Sequence, residues 1–287
     1  MRQHARILGL CSAVVAIGVA TATSVDAAAP SPGTPSVAKP AGYSIASATF
    51  ALPPDTQTHG SVVCPVNKGV QTVPLSGGGL IDTSALTANI NSSYPNNTGW
   101  DITANNGSPA ASEFTVYAVC AKKPAGYAQK ESVAVSNPAG ADAGAGYLCA
   151  KGDVVTGGGE FSNAPNTLVN LAGSWPTGTT EWYVYVSNDS TATFSFNVFR
   201  ICAKINVSKT HFQEVIGTTE LNPAAHDTDA EVFCPGGLST IGGGVVPSGG
   251  VGVTINTTFP FVGGWGSDTN NATGADDNVT AYVLCAS

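Results

Sequence analysis

The side chains that could do chemistry are few and scattered. Past the N-terminal segment the chain has three histidines, His59, His211 and His226, and hydrolysis by a nucleophile would need one of them beside a carboxylate and a hydroxyl. His226 opens the stretch "HDTDAE", with Asp227, Asp229 and Glu231, and "GADDN" adds Asp276 and Asp277. Such oxygens suit calcium by type, but neither spacing is that of a known calcium loop, and solvated turns use the same residues. "GLSTIG" around Ser239 lacks the glycine spacing of a nucleophile elbow. The cysteines stand too far apart for a zinc knuckle. The triple glycines at 77–79, 157–159 and 242–244 precede no helix whose N-terminus could hold a phosphate, so they read as turns, bulges or close strand approaches. The expectation is therefore no catalytic residue, no metal and no cofactor. A triad of His226, Asp227 or Asp229 and a distant serine keeps a secreted hydrolase as the third reading.

A second set carries more promise. Tyr94, Trp100 and Asn106 return as Trp175, Trp182 and Asn188, and again as Phe259, Trp265 and Asn271. Aromatic faces beside amides hold sugars by stacking and hydrogen bonding, and three linked copies of a weak site would add avidity. The competing structural reading seats each tryptophan in a core, against a disulfide.

Those residues recur because the chain writes one unit three times. Cys64, Cys149 and Cys234 lie 85 residues apart, and Cys120, Cys202 and Cys285 are separated by 82 and 83. Each tryptophan stands 20 residues before its closing cysteine and six before its asparagine. An aromatic-proline pair precedes each tryptophan (Tyr94-Pro95, Trp175-Pro176, Phe259-Pro260), and a triple glycine follows each opening cysteine, with five extra residues before it in the first copy. Pro54, Pro138 and Pro223 precede the opening cysteines by 10, 11 and 11 residues. The expected division is a signal peptide over 1–28, a Pro/Ala/Ser-rich linker over 29–42, and repeats over 43–124, 125–206 and 207–287.

Composition sets the compartment. A basic start, an apolar run from Ile7 to about Ala22 and the small residues Val25 and Ala27 predict export with cleavage near Ala27/Ala28. Cys11 leaves with that segment, and the remaining six cysteines suit disulfides in an oxidising compartment. Fifteen connectivities are possible, and the repeat favours Cys64–Cys120, Cys149–Cys202 and Cys234–Cys285. A net charge of −8 with 10% charged residues argues against nucleic acid as a partner. No later stretch has the apolar length of a membrane span and no sorting tail follows Cys285, so no membrane insertion is expected.

Within each unit, short runs rich in Val, Thr, Ile and aromatics alternate with Gly, Pro and Asn, without helical periodicity. In "EWYVYVSND", Trp182, Val184 and Val186 fall on one face and Tyr183 and Tyr185 on the other. The closing strands ("TVYAVCA", "NVFRICA", "TAYVLCA") are apolar at positions facing both ways, as central strands are. An all-β fold follows: three tandem β-sandwich-like repeats of about 80 residues in pseudo-threefold arrangement, or alternatively a single β-prism.

The pattern C-P…GGG…S-aromatic-P…GW…N…VYAxCA resembles a disulfide-linked β-domain of uncharacterised secreted bacterial proteins, especially of actinobacteria, sometimes attached to collagen-like chains. The likeness spans nearly all of the chain after residue 42. The second copy departs from it at Ala150 and Glu181. The resemblance implies a secreted β-module and brings no activity with it. The leading expectation is thus a secreted, extracellular, non-enzymatic protein that binds a polysaccharide or another cell-surface component. A structural protein of the cell envelope or extracellular matrix is the alternative.

Overall fold

The computed structural model describes residues 39–287. The expected signal peptide and residues 29–38 of the expected linker lie outside them. The fold is all-β, and the chain runs through one strand path three times. The first pass comprises β1 (Ser44–Leu52), β2 (Thr56–Val63), a two-residue β3 (Val66–Asn67), β4 (Val70–Ile81), β5 (Ala88–Pro95), β6 (Gly99–Asn106) and β7 (Ser112–Lys122). The second comprises β8 (Ala128–Glu131), β9 (Val135–Asn137), β10 (Ala141–Leu148), β11 (Val154–Ser162), β12 (Val169–Thr177), β13 (Glu181–Asn188) and β14 (Phe194–Ala203). After a single-turn helix, α1 (Val207–Thr210), come β15 (Gln213–Asn222), β16 (His226–Phe233), β17 (Ser239–Pro247), β18 (Val253–Phe261), β19 (Gly264–Asn271) and β20 (Asp277–Ala286).

Each unit folds as two half-sheets packed face to face, as expected of a sandwich, but no half-sheet ends at its own unit. One sheet runs β1-β7-β4-β18-β19-β16, a second β10-β13-β12-β17-β20-β15 and a third β2-β6-β5-β11-β14-β8. Every sheet is therefore shared by two units, and the three units close a ring. The sandwich and prism descriptions merge: the wings are sandwiches, while the sheets pass uninterrupted from one wing to the next.

Glycine makes the shared seams possible. At each seam the glycine-bearing strand that follows the opening cysteine (β4, β11 or β17) crosses the aromatic-proline strand of a neighbouring unit, through the pairs Gly79–Thr258, Glu160–Ser93 and Val245–Ser174. A Cβ on Gly78, Gly159 or Gly244 would lie 2.0, 1.8 or 1.9 Å from the carbonyl oxygen of Thr258, Ser93 or Ser174, a distance no side chain tolerates. One residue earlier, a Cβ on Gly77, Gly158 or Gly243 would lie 2.4 Å from the ring of Trp100, Trp182 or Trp265. These equivalences correct the sequence alignment. Ser76-Gly77-Gly78, and not 77–79, matches the other two triplets, so the first copy has four extra residues where five were counted. The frame is set by a bulge at Leu75, Thr156 and Ile241 in the three copies. Ser76 is accommodated because its hydroxyl donates to the Ile241 carbonyl at 2.8 Å, where Gly157 and Gly242 come closest to carbonyl oxygens.

The disulfides form as the repeat favours, Cys64–Cys120, Cys149–Cys202 and Cys234–Cys285, across 56, 53 and 51 residues. Each contributes about 4 kcal/mol through the entropy of a loop that length. The inward face of every closing strand is buried (Phe114 and Val116, Phe196 and Val198, Val279 and Ala281), and so are Val119, Ile201 and Leu284 on the other face. Tyr117, Phe199 and Tyr282 remain half-buried, so burial on both faces is nearly but not wholly complete.

A methyl group at a seam has nowhere to go. Gly159→Ala is expected to lower stability by more than the ~1–3 kcal/mol of ordinary overpacking, because the obstacle is backbone. Gly274→Ala, where nothing lies within 4 Å, should be near neutral. Urea titrations of both variants check this, and equal midpoints would contradict the seam account.

Candidate functional site

The nine aromatic and amide candidates separate into three structural roles. Trp100, Trp182 and Trp265 are buried, at 0%, 2% and 1% exposure. Each indole N–H donates to a hydroxyl on the neighbouring strand: Ser93 at 2.9 Å, Ser174 at 3.0 Å and Thr258 at 2.8 Å. The partner beneath each ring is the glycine of the opposite half-sheet. These tryptophans belong to the core and present no face to a ligand.

Asn106, Asn188 and Asn271 are fully buried as well. Their amide nitrogens tie two loops together, donating to Leu52 and Ala110, to Asn137 and Ala192, and to Asn222 and Ala275. Each Oδ1 accepts from the backbone N–H and the hydroxyl of the residue two positions on, namely Ser108, Ser190 and Thr273. The Asn-x-Ser/Thr triplets at these positions are thus loop staples.

The residues before proline are different. Tyr94, Trp175 and Phe259 lie on the outer faces of the sheets, half-buried, one at each seam. Tyr94 meets Phe199 across its seam at 5.2 Å and Phe259 meets Tyr117 at 5.5 Å. Trp175 instead turns back along its own unit onto Tyr183 and Tyr185, at 5.2 and 5.6 Å, and those two rings lie 5.3 Å apart. The positions of Tyr183 and Tyr185 are occupied by Asp101 and Thr103 in the first copy and by Gly266 and Asp268 in the third. Their partners on the edge strand β10 are Gly146 and Gly144. A methyl on Gly144 would lie 2.3 Å from the Tyr185 ring and one on Gly146 2.9 Å from Tyr183, so the missing side chains let both rings lie down over the edge strand. The outcome is an outward platform of three rings, flanked by Glu181, which accepts from the Thr177 hydroxyl at 2.8 Å.

A cavity of about 220 Å³ opens at the foot of the platform, lined by Asp142, Ala172, Tyr185, Pro247, Ser248 and Gly249. Its origin is a lost staple. In the first copy Asn91 donates to Val169 of the second unit, and in the third Asn256 donates to Ala88 of the first; the second copy has Ala172 there. Asn105 and Asn270 brace the same corners, and the second copy has the shorter Ser187, whose hydroxyl makes no bridge to the next unit. Gln57 bridges to Ala164 and Asn166 of the next unit, whereas its counterpart Asp142, with Ser187 opposite it, makes no such bridge, and its Oδ1 is left without a partner among the described residues. Burial holds the Asp142 carboxyl above its ordinary range, against the opposing pull of the Ser187 hydroxyl and with the Asp189 charge adding to the rise.

The other outer faces carry different chemistry. Beside Tyr94 and Phe161 lie Asp101, His59 at 3.7 Å from it, and Asn96, which donates to Asp101 at 2.7 Å; burial and the Asp101 charge push the Tyr94 hydroxyl up to about 12. On the β16/β19 face Asp229 stands directly opposite Asp268. Burial and the Asp229 carboxylate push Asp268 up to about 8, so Asp268 holds its proton near neutral pH, and burial beside Asp229 lifts Asp227 to about 6. His226, Asp227, Asp229 and Glu231 all lie along β16, and among the described residues no His, Cys, Asp and Glu group is arranged to hold a metal ion. Three chemically distinct faces replace the three equivalent sites that the repeat suggested. Tyr183, Tyr185 and Asp142 escaped the sequence comparison because they break the repeat. No protein-family model matches the chain, and no curated protein does.

Glu160 is an exception inside the second unit: it is wholly buried, neither oxygen has a partner among the described residues, and burial raises its carboxyl well above the ordinary range. Asp142, Asp189 and Glu214 are also raised, chiefly by burial. A folded chain with raised carboxyls holds protons that the unfolded chain releases above about pH 4. Stability is then fully present below that pH and declines as pH rises through about 6 and about 8, where Asp227 and Asp268 ionise. Thermal unfolding followed by circular dichroism should give a midpoint that falls from about pH 5 to about pH 9, and Asp268→Asn should flatten the upper part. A midpoint that rises over that range would contradict the assignment.

Proposed function

We propose that this is a non-enzymatic protein of an oxidising extracellular compartment that binds a glycan, as a polysaccharide or at a cell surface, on the face of its second unit. The observation that carries the reading is the Trp175–Tyr183–Tyr185 platform with the Asp142 cavity at its foot. Sugar rings present apolar C–H faces that stack on such a surface, and their hydroxyls seek acceptors such as Asp142 and Glu181. Three disulfides fit that compartment.

The second reading, a durable structural protein of the cell envelope or matrix, is favoured by the burial of three of the four tryptophans and by sheets that fuse the units. A hydrolase has as its best acid–base pair His59 and Asp101, on the outer face.

Trp175 is the one tryptophan that is not buried, so it alone should answer to a soluble quencher. Iodide is expected to remove a minor part of the intrinsic fluorescence, and a bound polysaccharide should restore it. Screening cell-wall and plant polysaccharides identifies the ligand class. Trp175→Ala is expected to weaken binding by about 2 kcal/mol, roughly thirtyfold in Kd, with Trp265→Phe leaving it intact. Emission that iodide quenches but no glycan protects would move the assignment to the structural reading.

A further inference from the structure

The lysines gather at one end. The disulfides mark the end at which every closing strand finishes. Lys122, Lys123 and Lys204 follow closing cysteines, and Lys68 and Lys151 follow opening ones. Lys39 precedes β1 and Lys209 lies in α1. All seven are exposed. Of the eleven Lys and Arg in the chain, Arg2 and Arg6 lie outside the described residues and Lys130 and Arg200 lie on β8 and β14. Lys68 and Lys122 share one cavity of about 380 Å³, and Lys122, Lys123 and Lys204 rim another of about 360 Å³ floored by Leu75 and Ile241. Among the described residues the single ion pair is His59–Asp101, so none of these lysines is paired. Asp153, Glu181 and Glu214 are acids at this end, with Glu131 and Glu231 a few residues inward on β8 and β16, whereas the far end carries Asp55, Asp82, Asp189, Asp276 and Asp277 and, among the described residues, no lysine or arginine.

Apolar side chains stand among the lysines. Val63, Leu148 and Phe233, each immediately before an opening cysteine, are each 59% exposed. Val66, Val70 and Val262 add to them at 61%, 50% and 83%. A soluble polyanion would be served by the lysines alone and has no use for this ring. A bilayer with anionic headgroups uses both, with ammonium groups on the phosphates and apolar tips in the interface.

The geometry points to a second site, distinct from the glycan platform: the disulfide end docks peripherally on an anionic lipid surface. With a net charge of −8, the molecule approaches such a surface in one orientation, its acidic end repelled. Composition concealed this surface by averaging over both ends. Docking of this kind involves no spanning segment.

Co-sedimentation of the purified protein with phosphatidylcholine vesicles, with and without phosphatidylglycerol, tests the proposal. The expected result is binding to the anionic vesicles alone, weakened by salt. Lys122→Gln with Lys204→Gln should reduce partitioning about 25-fold, since each lysine contributes about fivefold near such a surface. Phe233→Ser with Leu148→Ser should also weaken it, and Trp175→Ala should not. All of these side chains except Trp175 are exposed, and matching unfolding midpoints verify that the variants are folded. Equal binding to neutral vesicles, absence of vesicle binding, or capture by soluble polygalacturonate without vesicle binding would each overturn the proposal. The salt dependence of the unaltered protein decides the matter if a variant fails to fold.

Discussion

Everything in this fold rests on a contact that excludes side chains. Where β4, β11 and β17 cross β18, β5 and β12, a carbonyl oxygen occupies the space that a Cβ would fill. Three consequences follow together. The crossing strands approach closely enough to continue one sheet into the next unit. The preceding glycine leaves a flat bed for the tryptophan of its own unit. The bulge just before it turns carbonyls toward the neighbours, where the hydroxyls of Ser76 and Thr156 meet them. The glycine run is therefore an architectural element and not a ligand loop.

Function is read from where the copies disagree. The interior repeats with little change, because tryptophan, glycine and the asparagine staple depend on one another. At the junction of the second and third units, Ala172, Ser187 and Asp142 stand where staples stand elsewhere, and in that unit Tyr183 and Tyr185 stand where polar residues or glycine do. The cavity and the platform arise from the same departures. Glu160 is a departure of another kind, a carboxyl in a core position taken by Val245 in the third copy and Gly79 in the first, and it costs stability without facing a ligand.

Much of the architecture was legible in the residues. Cysteine spacing predicted the disulfides, strand-length apolar runs predicted an all-β chain, and alternation in "EWYVYVSND" put Trp182 and the two tyrosines on opposite faces without saying which face was the core. The continuity of the sheets was not legible, since a contact between backbones leaves only glycine as its trace, and glycine has many uses. The site was less legible still. Searching for repetition selected Trp100, Trp182 and Trp265 and the asparagines, which repeat because the core needs them. Of that set only Tyr94, Trp175 and Phe259 reach the surface. The clustering of lysines was hidden because Lys39, Lys122 and Lys204 converge only through the topology.

The ring of shared sheets also governs how the molecule is made. The open edge of β4 finds its partner in β18, Gly79 beside Thr258, so the first strands to be synthesised wait for nearly the last. Until then the N-terminal third presents an unpaired central strand to its surroundings, the most adhesive edge a β-protein can expose. Contacts this distant in sequence also fold slowly. The nascent chain must be shielded over that interval, and a truncated product would carry a permanently open edge with an affinity for strands of other chains.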